Sequence, residues 1–311
     1  MDYAGGIDVG GTHTKIGLVE SNGRIVAQSR LQPDPRGAFE ALAGVIADGL
    51  GRLHAEAGGR LLAVGIGNPG YTDRHTGITV GGAHNVPCLH GNSLSRFLGS
   101  RFAVPASADN DGTCAAAAEL SWGAGRDSPD FLLITLGTGI GGGLALDGRV
   151  VRGARGFAGE VGHFCVQQGG YECVCGARGC FEQYASAGAI LREYRERRRR
   201  RGLPPDPALS PKSVLAAAAA NEPLALQVVS EAARAIAQVF GSVTNLLNLD
   251  ACILGGGLSQ AGDLLPRLVR EMVPDFTLPL FAEGLRILPA QLGNDAGLLG
   301  AAALAWEELS G

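Results

Sequence analysis

Three observations predict an α/β fold in two domains. Short apolar strands alternate with helical patterns along the whole chain. Two of those strands run into glycine-rich hairpins of the same kind, around Gly10-Gly11 and Gly137 to Gly143, which suggests an internal duplication. A chain of 311 residues is also longer than one hydrophobic core usually organises.

Taken in order, Tyr3 to Val9 reads as a strand that runs into Asp8-Val9-Gly10-Gly11-Thr12-His13-Thr14-Lys15. Lys15 to Glu20 and Arg24 to Leu31 read as two more strands about the turn Asn22-Gly23. A hairpin of this type can curl its N–H groups and the Thr12 and Thr14 hydroxyls around phosphate oxygens, while Asp8 could hold a hydrated Mg2+. A glycine-rich hairpin without a ligand would look the same locally. Gly37 to Glu56 has helical spacing, and Leu61 to Ile66 is a buried strand ending in Gly67-Asn68-Pro69-Gly70, a strand-end loop of the kind that meets ligands. His75, His84 and His90 read as ordinary surface or loop histidines.

Val104 to Ala106 is expected as a short strand leading to Asp109-Asn110-Asp111, with Gly112 to Trp122 an alanine-rich helix. Capping and the helix dipole explain one acid at such a junction. The same donors would keep Asp111 ionised, as a general base must be, and two acids with an amide exceed what one cap needs.

Phe131 to Leu136 is a strand before the second glycine hairpin. Gly137, Gly139 and Gly142 match a dinucleotide fingerprint, but that pattern must open a helix. Here Leu144 to Leu146 and Asp147-Gly148 read as another hairpin, so Gly137, Thr138 and Gly139 belong to a second phosphate hairpin. Phe181 to Arg201, Ser213 to Ala220, Pro223 to Leu249, Ser259 to Met272 and Asp295 to Leu309 read as helices; Ala251 to Leu254 and Leu285 to Pro289 read as strands. The run Arg197 to Arg201 is a solvated helix end. Bare backbone at Gly255-Gly256-Gly257 suits a nucleotide base or ribose.

Between the second hairpin and these helices lies the densest chemistry. His163, Cys173, Cys175 and Cys180 supply the four soft or borderline donors of a closed zinc site. Gly176 and Gly179 let the loop fold tightly. No Cys-x-x-Cys redox pair occurs there, and a disulfide framework suits small secreted domains instead. A metal knot would also fix the carboxylates at its edges, Glu160 and Glu182, for contact with a polar ligand such as a sugar. Two solvated acids beside a structural zinc would read the same.

Composition narrows the classes. A net charge of −4 gives no excess of cations for nucleic acid. No apolar run approaches the roughly 18 residues of a membrane span. Met1 to Gly6 lacks the basic and apolar regions of a signal peptide, and seven cysteines without one favour a reducing cytoplasm.

Together these motifs resemble the ROK family, the sugar kinases and repressors of the actin-like and hexokinase-like ATPase superfamily, over nearly the whole chain. The resemblance rests on Asp8-Val9-Gly10-Gly11-Thr12, Asn110-Asp111, Gly137 to Gly143, Gly153, Gly159, Gly162-His163 and Cys173-x-Cys175-Gly176-x-x-Gly179-Cys180-x-Glu182. It implies a two-domain actin-like (ribonuclease H-like) ATPase fold with a cleft between domains and a structural zinc loop. The small domain would span 1–110, completed by a C-terminal helix at about 295–311; the larger, 111–294, would carry the zinc loop and a dimerisation surface. Domain closure would exclude water.

The resemblance also implies roles. Asp111 would be the general base. Gly70, Asn110, Glu160, His163 and Glu182 would contact the sugar, with His163 also a zinc ligand. Asp8 would hold Mg2+, Gly10, Gly11, Thr12, Thr14, Gly137, Thr138 and Gly139 would face the ATP phosphates, and Gly256 and Gly257 would lie near the adenosine. The implied activity is ATP-dependent phosphorylation of a hexose at its 6-hydroxyl by a cytoplasmic homodimer, with a sugar-sensing regulator without catalysis as the alternative class. Repressors of the family carry a helix-turn-helix before the first phosphate motif, which here begins within ten residues of Met1; no DNA-binding domain is expected. Family glucokinases often have Asn-Leu-x-x-Trp where this chain has Asn85-Val86-Pro87-Cys88-Leu89. Asn-Val-Pro is reminiscent of bacterial N-acetylglucosamine kinases, so glucose leads and N-acetylglucosamine, N-acetylmannosamine, mannose and fructose follow. Polyphosphate stays open as an alternative donor.

Overall fold

The computed structural model describes residues 1–310. Gly311, the last residue of the expected C-terminal helix, lies outside the described residues. In chain order the first elements are β1 (Asp2–Val9), β2 (Thr14–Val19), β3 (Ile25–Leu31), α1 (Phe39–Ala57), β4 (Arg60–Asn68), β5 (Tyr71–Thr72), β6 (Thr79–Gly81), α2 (Leu94–Phe102), β7 (Ala106–Asn110) and α3 (Asp111–Trp122). Then come β8 (Phe131–Leu136), β9 (Ile140–Leu146), β10 (Arg149–Val150), α4 (Glu182–Ala185), α5 (Ala187–Arg200), α6 (Pro211–Ala219), α7 (Pro223–Leu247), β11 (Ala251–Gly255), α8 (Leu264–Met272), α9 (Pro279–Ala282), β12 (Arg286–Pro289) and α10 (Ala296–Ser310). The chain divides into two compact units, one of residues 1–127, 143–159 and 291–311, the other of 128–142 and 160–290.

The first unit is built on a sheet of order β3-β2-β1-β4-β7. β1, β2 and β3 are antiparallel neighbours, and β4 and β7 add in parallel, with Asn68 opposite Asn110 at the end of the register. One core cluster joins Ile7, Ile16, Val64 and Ile66 to Leu42, Ile46 and Leu50 of α1 and to Leu94 and Leu98 of α2. Another joins Ala4, Val19 and Ala63 to Ala118 of α3 and to Leu298, Ala302 and Ala305 of α10. The second contact is made by backbone. A Cβ on Gly65 would overlap the Ala301 carbonyl oxygen, and one on Gly300 would overlap that of Cys114. Glu119, fully buried in α3, fastens the approach: its carboxylate accepts from Ala124 N at 2.7 Å and from Gln291 N and Leu292 N at 3.0 Å.

The second sheet has the order β10-β9-β8-β11-β12, the same spatial pattern as the first, with β11 parallel to β8 and β12. β9 passes from the second unit into the first at Gly142 and Gly143. It turns back to β10 at Asp147 and Gly148, whose φ values of 52° and 68° suit a hairpin of the I′ type. Helix α7, buried along most of its length, packs against α5, α6 and α8.

Three expectations change in detail, and one helix was not expected. The strand expected at Val104 to Ala106 runs instead from Ala106 to Asn110, because Ala103 closes α2 in the left-handed region. Helix α2 itself had no counterpart in the sequence reading. The helix expected over Phe181 to Arg201 breaks at Ser186, which is extended and caps α5 by accepting from Ala189 N. The helix expected from Ser259 begins only at Leu264, since Gly262 has φ 113° and the Ser259 hydroxyl donates to Gly256 O.

A methyl group at position 65 has nowhere to go except into the backbone of α10. Gly65→Ala should destabilise the protein by about 2 kcal/mol or more, seen as a lower denaturant midpoint. An unchanged midpoint would show that α10 slides without penalty.

Candidate functional site

In the first unit, β1 and β2 place the Gly10 to His13 turn at the sheet's edge. Gly10 N donates to His13 O at 3.1 Å, and a Cβ on Gly11 would stand 2.7 Å from that of Asn85. The turn therefore rests on the Asn85-Val86-Pro87 segment. Thr12 is exposed, whereas Thr14 is fully buried and its hydroxyl has no hydrogen-bond partner among the described residues. Asp8 faces Lys15 across the β1-β2 ladder and lies against Gly297 in the first turn of α10. Burial pushes its carboxyl up, with Lys15 opposing. A partly buried carboxylate at the end of a strand that runs into a glycine-rich hairpin is a suitable donor for a hydrated divalent cation.

The end of β7 delivers three polar residues with three separate tasks. Asp109 is buried and accepts from Arg152 Nε at 2.8 Å and from Asn110 N at 2.9 Å. Burial raises its carboxyl, and Arg152 pulls it back. Asn110 caps α3 by accepting from Gly112 N at 2.8 Å and Thr113 N at 3.3 Å, and its amide donates to Gly70 O at 3.0 Å. One amide hydrogen is left for a ligand. Gly70 has φ 80°, and a Cβ there would stand 2.5 Å from Ala83 N. Asp111, the first residue of α3, is exposed and accepts from Gly112 N at 2.8 Å.

In the second unit, four ligand atoms of His163, Cys173, Cys175 and Cys180 lie within 4.8 Å of one another. Cys173 Sγ is 3.6 Å from His163 Nδ1, and Cys175 Sγ is 3.6 Å from Cys180 Sγ. These lengths are near the roughly 3.8 Å edge of a tetrahedron with Zn–S bonds of about 2.3 Å. The donor set fits zinc. Gly176 and Gly179 have φ of 90° and 81°, the tight loop the cysteines require. Burial, together with the Cys175 and Cys173 thiols, pushes Cys180 up to about 12, a crowding of thiols that a bound dication relieves. His163 turns Nδ1 to the sulfurs, and its Nε2 lies 3.8 Å from Glu160 Oε2. The carboxylate thus lies beside the imidazole, beyond direct hydrogen-bonding distance. Burial raises Glu160, His163 lowers it, and the nearby charge of Glu182 raises it again.

Glu182 has a further contact. Its Oε2 accepts from Ile140 N at 2.9 Å, just after the Gly137-Thr138-Gly139 turn. Gly256, with φ 83°, packs against Leu136 immediately before that turn, and Gly257 has open space where a side chain would be. Thus Glu160, His163, Glu182 and the second glycine turn come together in one unit, and Gly70, Asn110 and Asp111 come together in the other.

Sequence reasoning missed Arg152. Its guanidinium also reaches Glu307 at 2.7 Å, so it joins the end of β7 to α10. No local pattern marks it, because its partner Asp109 is 43 residues away.

The fold is α/β with the actin-like ATPase architecture of ROK sugar kinases. The ROK family pattern matches residues 4–308, and the chain belongs to that family. It is similar to a glucokinase of Halalkalibacterium halodurans, 34% identical over 95% of this chain and 92% of that one. Among solved structures it is similar to a ROK hexokinase from Thermus thermophilus, with 30% identity, a TM-score of 0.87 and 99% of each chain covered. It is also similar to a ROK family glucokinase from Streptomyces griseus in complex with glucose and AMPPNP, with 32% identity, a TM-score of 0.81 and coverage of 98% and 99%. Among the described residues no helix is long and apolar enough to cross a membrane.

Two outcomes test these assignments. Cys180→Ser should lose the bound metal, whereas Cys165→Ser, at an exposed thiol outside the cluster, should keep it; metal analysis of the purified variants reads the difference. Arg152→Leu strands the buried Asp109 carboxylate and should destabilise by about 3 kcal/mol, read by denaturant unfolding.

Proposed function

We propose that this protein transfers the terminal phosphoryl group of ATP to the 6-hydroxyl of a hexose, in the manner of a glucokinase, with Asp111 as general base. The observation that carries the reading is the head of α3, where an exposed Asp111 stands beside an Asn110 tied to Gly70. The likeness to a glucokinase with bound glucose and AMPPNP supports both the acceptor and the donor.

In this reading Asp111 takes the proton of the attacking hydroxyl. Asn110 and the backbone of Gly70 are assigned to sugar contact, as are Glu160, His163 and Glu182. Phosphoryl transfer needs positioning and charge stabilisation more than covalent chemistry. Gly10 and Gly137 shape the two turns, their N–H groups being bonded to His13 O and Gly139 O, and the N–H groups of Gly11 and Gly139 with the hydroxyls of Thr12 and Thr138 are assigned to the phosphates. Mg2+, held through Asp8, supplies positive charge to them. Gly256 and Gly257 leave room for the adenosine. Zinc on His163, Cys173, Cys175 and Cys180 is structural: it holds the loop that carries Glu160 and Glu182.

A second reading, phosphorylation of an N-acetylhexosamine, is favoured by the Asn85-Val86-Pro87 segment, which lacks the tryptophan of the glucokinase pattern and underlies the Gly11 turn.

An ADP-release assay with Mg-ATP against hexoses and N-acetylhexosamines separates the two. A preference for glucose supports the first reading and one for N-acetylglucosamine the second; no turnover with any sugar would overturn both. Asp111→Asn should lower turnover about a hundredfold or more while sugar affinity, read by calorimetry, stays close to that of the parent protein.

A further inference from the structure

We infer that Glu182 is a positioning residue through which the metal cluster sets the affinity of the second glycine turn for nucleotide phosphates. The inference rests on the kinase reading above and deepens it.

The Gly137-Thr138-Gly139 turn has little to hold it in shape. Its one internal bond runs from Gly137 N to Gly139 O at 3.0 Å, and its one side chain, Thr138, is exposed. Two contacts from outside fix it. Ile140 N donates to Glu182 Oε2 at 2.9 Å, and Ala187 N donates to Gly137 O at 2.9 Å. Both partners lie in the short segment that follows Cys180. The Glu182 carboxylate fills the space beside Gly139, where a Cβ would stand 2.5 Å from Oε2.

The other end of the segment is fixed by the cluster. Cys180 pairs with Cys165 across an antiparallel bridge, flanked by Phe181 N donating to Phe164 O at 2.7 Å and Val166 N donating to Gly179 O at 2.9 Å. Cys180 and Phe181 are both fully buried. Metal held by Cys180 therefore fixes a backbone two residues from the group that shapes the turn. A carboxylate has two oxygens, and Oε2 is engaged with Ile140 N; Oε1 is the one free for a sugar hydroxyl. The contact is geometric in purpose, since a negative charge beside a phosphate turn contributes only repulsion.

The test is calorimetric titration of Mg-ADP into the metal-loaded protein without sugar, so that contacts to the acceptor do not enter. Glu182→Ala should weaken binding about tenfold, the worth of a hydrogen bond to a charged group. Glu182→Gln, which keeps an acceptor for Ile140 N, should stay within about twofold of the parent. Removing the metal with a chelator should weaken the parent about tenfold and Glu182→Ala by less than about twofold, the non-additivity of groups acting through one contact. Gly139→Ala displaces the carboxylate without touching the metal ligands. It should reproduce the loss in the parent and add little to Glu182→Ala. Parent-like or tighter Mg-ADP binding by Glu182→Ala overturns the inference, as does an equal loss on metal removal in both proteins. A parent protein that binds no Mg-ADP overturns the kinase reading itself.

Discussion

Close approach of backbones is the constraint on which the first unit depends. Helix α10 can lie directly on β1, β4 and α3 only because Gly6, Gly65 and Gly300 present no side chain at the crossing. Interiors pack to the density of organic crystals, so a surplus methyl group at such a point displaces a helix. The alanines of α3 and α10 continue the same economy of volume. Because α3 is held this closely, its N-terminus has a fixed place, and Asp111 at its head inherits that place. Glu119 at the other end fastens α3 to the segment that leads into α10, accepting only backbone N–H groups.

The second unit solves a different problem. The segment from Phe164 to Arg178 is largely exposed and offers little apolar surface to bury. A short loop of this kind cannot offset its own ordering entropy by packing. Four potential ligands converge on one point, and a metal bound there would supply the missing restraint as folding free energy. The same knot would fix the backbone beside the neighbouring carboxylates, since Glu160 lies three residues before His163 and Glu182 two after Cys180. The two units thus place their acids by different means, one by dense backbone packing and the other beside a cluster of soft donors.

This difference explains what was legible in the sequence. The ligand cluster was readable because its members lie within one stretch from His163 to Cys180. The glycine hairpins and the Asn110 cap were readable for the same reason, each being a local pattern with a local cause. The contacts that position them were not. Asp109 meets Arg152 across 43 residues, Glu119 meets Gln291 across 172, and Glu182 meets Ile140 across 42. No periodicity or spacing encodes such pairs; the fold has to bring them together. The break at Ser186 was missed although serine is a strong cap, because the apolar spacing continues through it. The strand at the end of the first sheet was placed too early because Asp109 and Asn110 are poor strand formers, and pairing with β4 overrides that preference.

The order in which the first unit's parts leave the ribosome follows from its discontinuity. Its sheet is complete by Asn110, but the helix that covers β1 and β4 begins only at Ala296. Everything in the second unit is translated in between. A nascent chain therefore carries a finished sheet with one apolar face bare, including Ala4, Val19 and Ala63, until α10 has been translated. Such a face is a binding surface for chaperones and a hazard for aggregation during synthesis. A nonsense mutation anywhere before α10 would leave that hazard permanent, however well the second unit had folded.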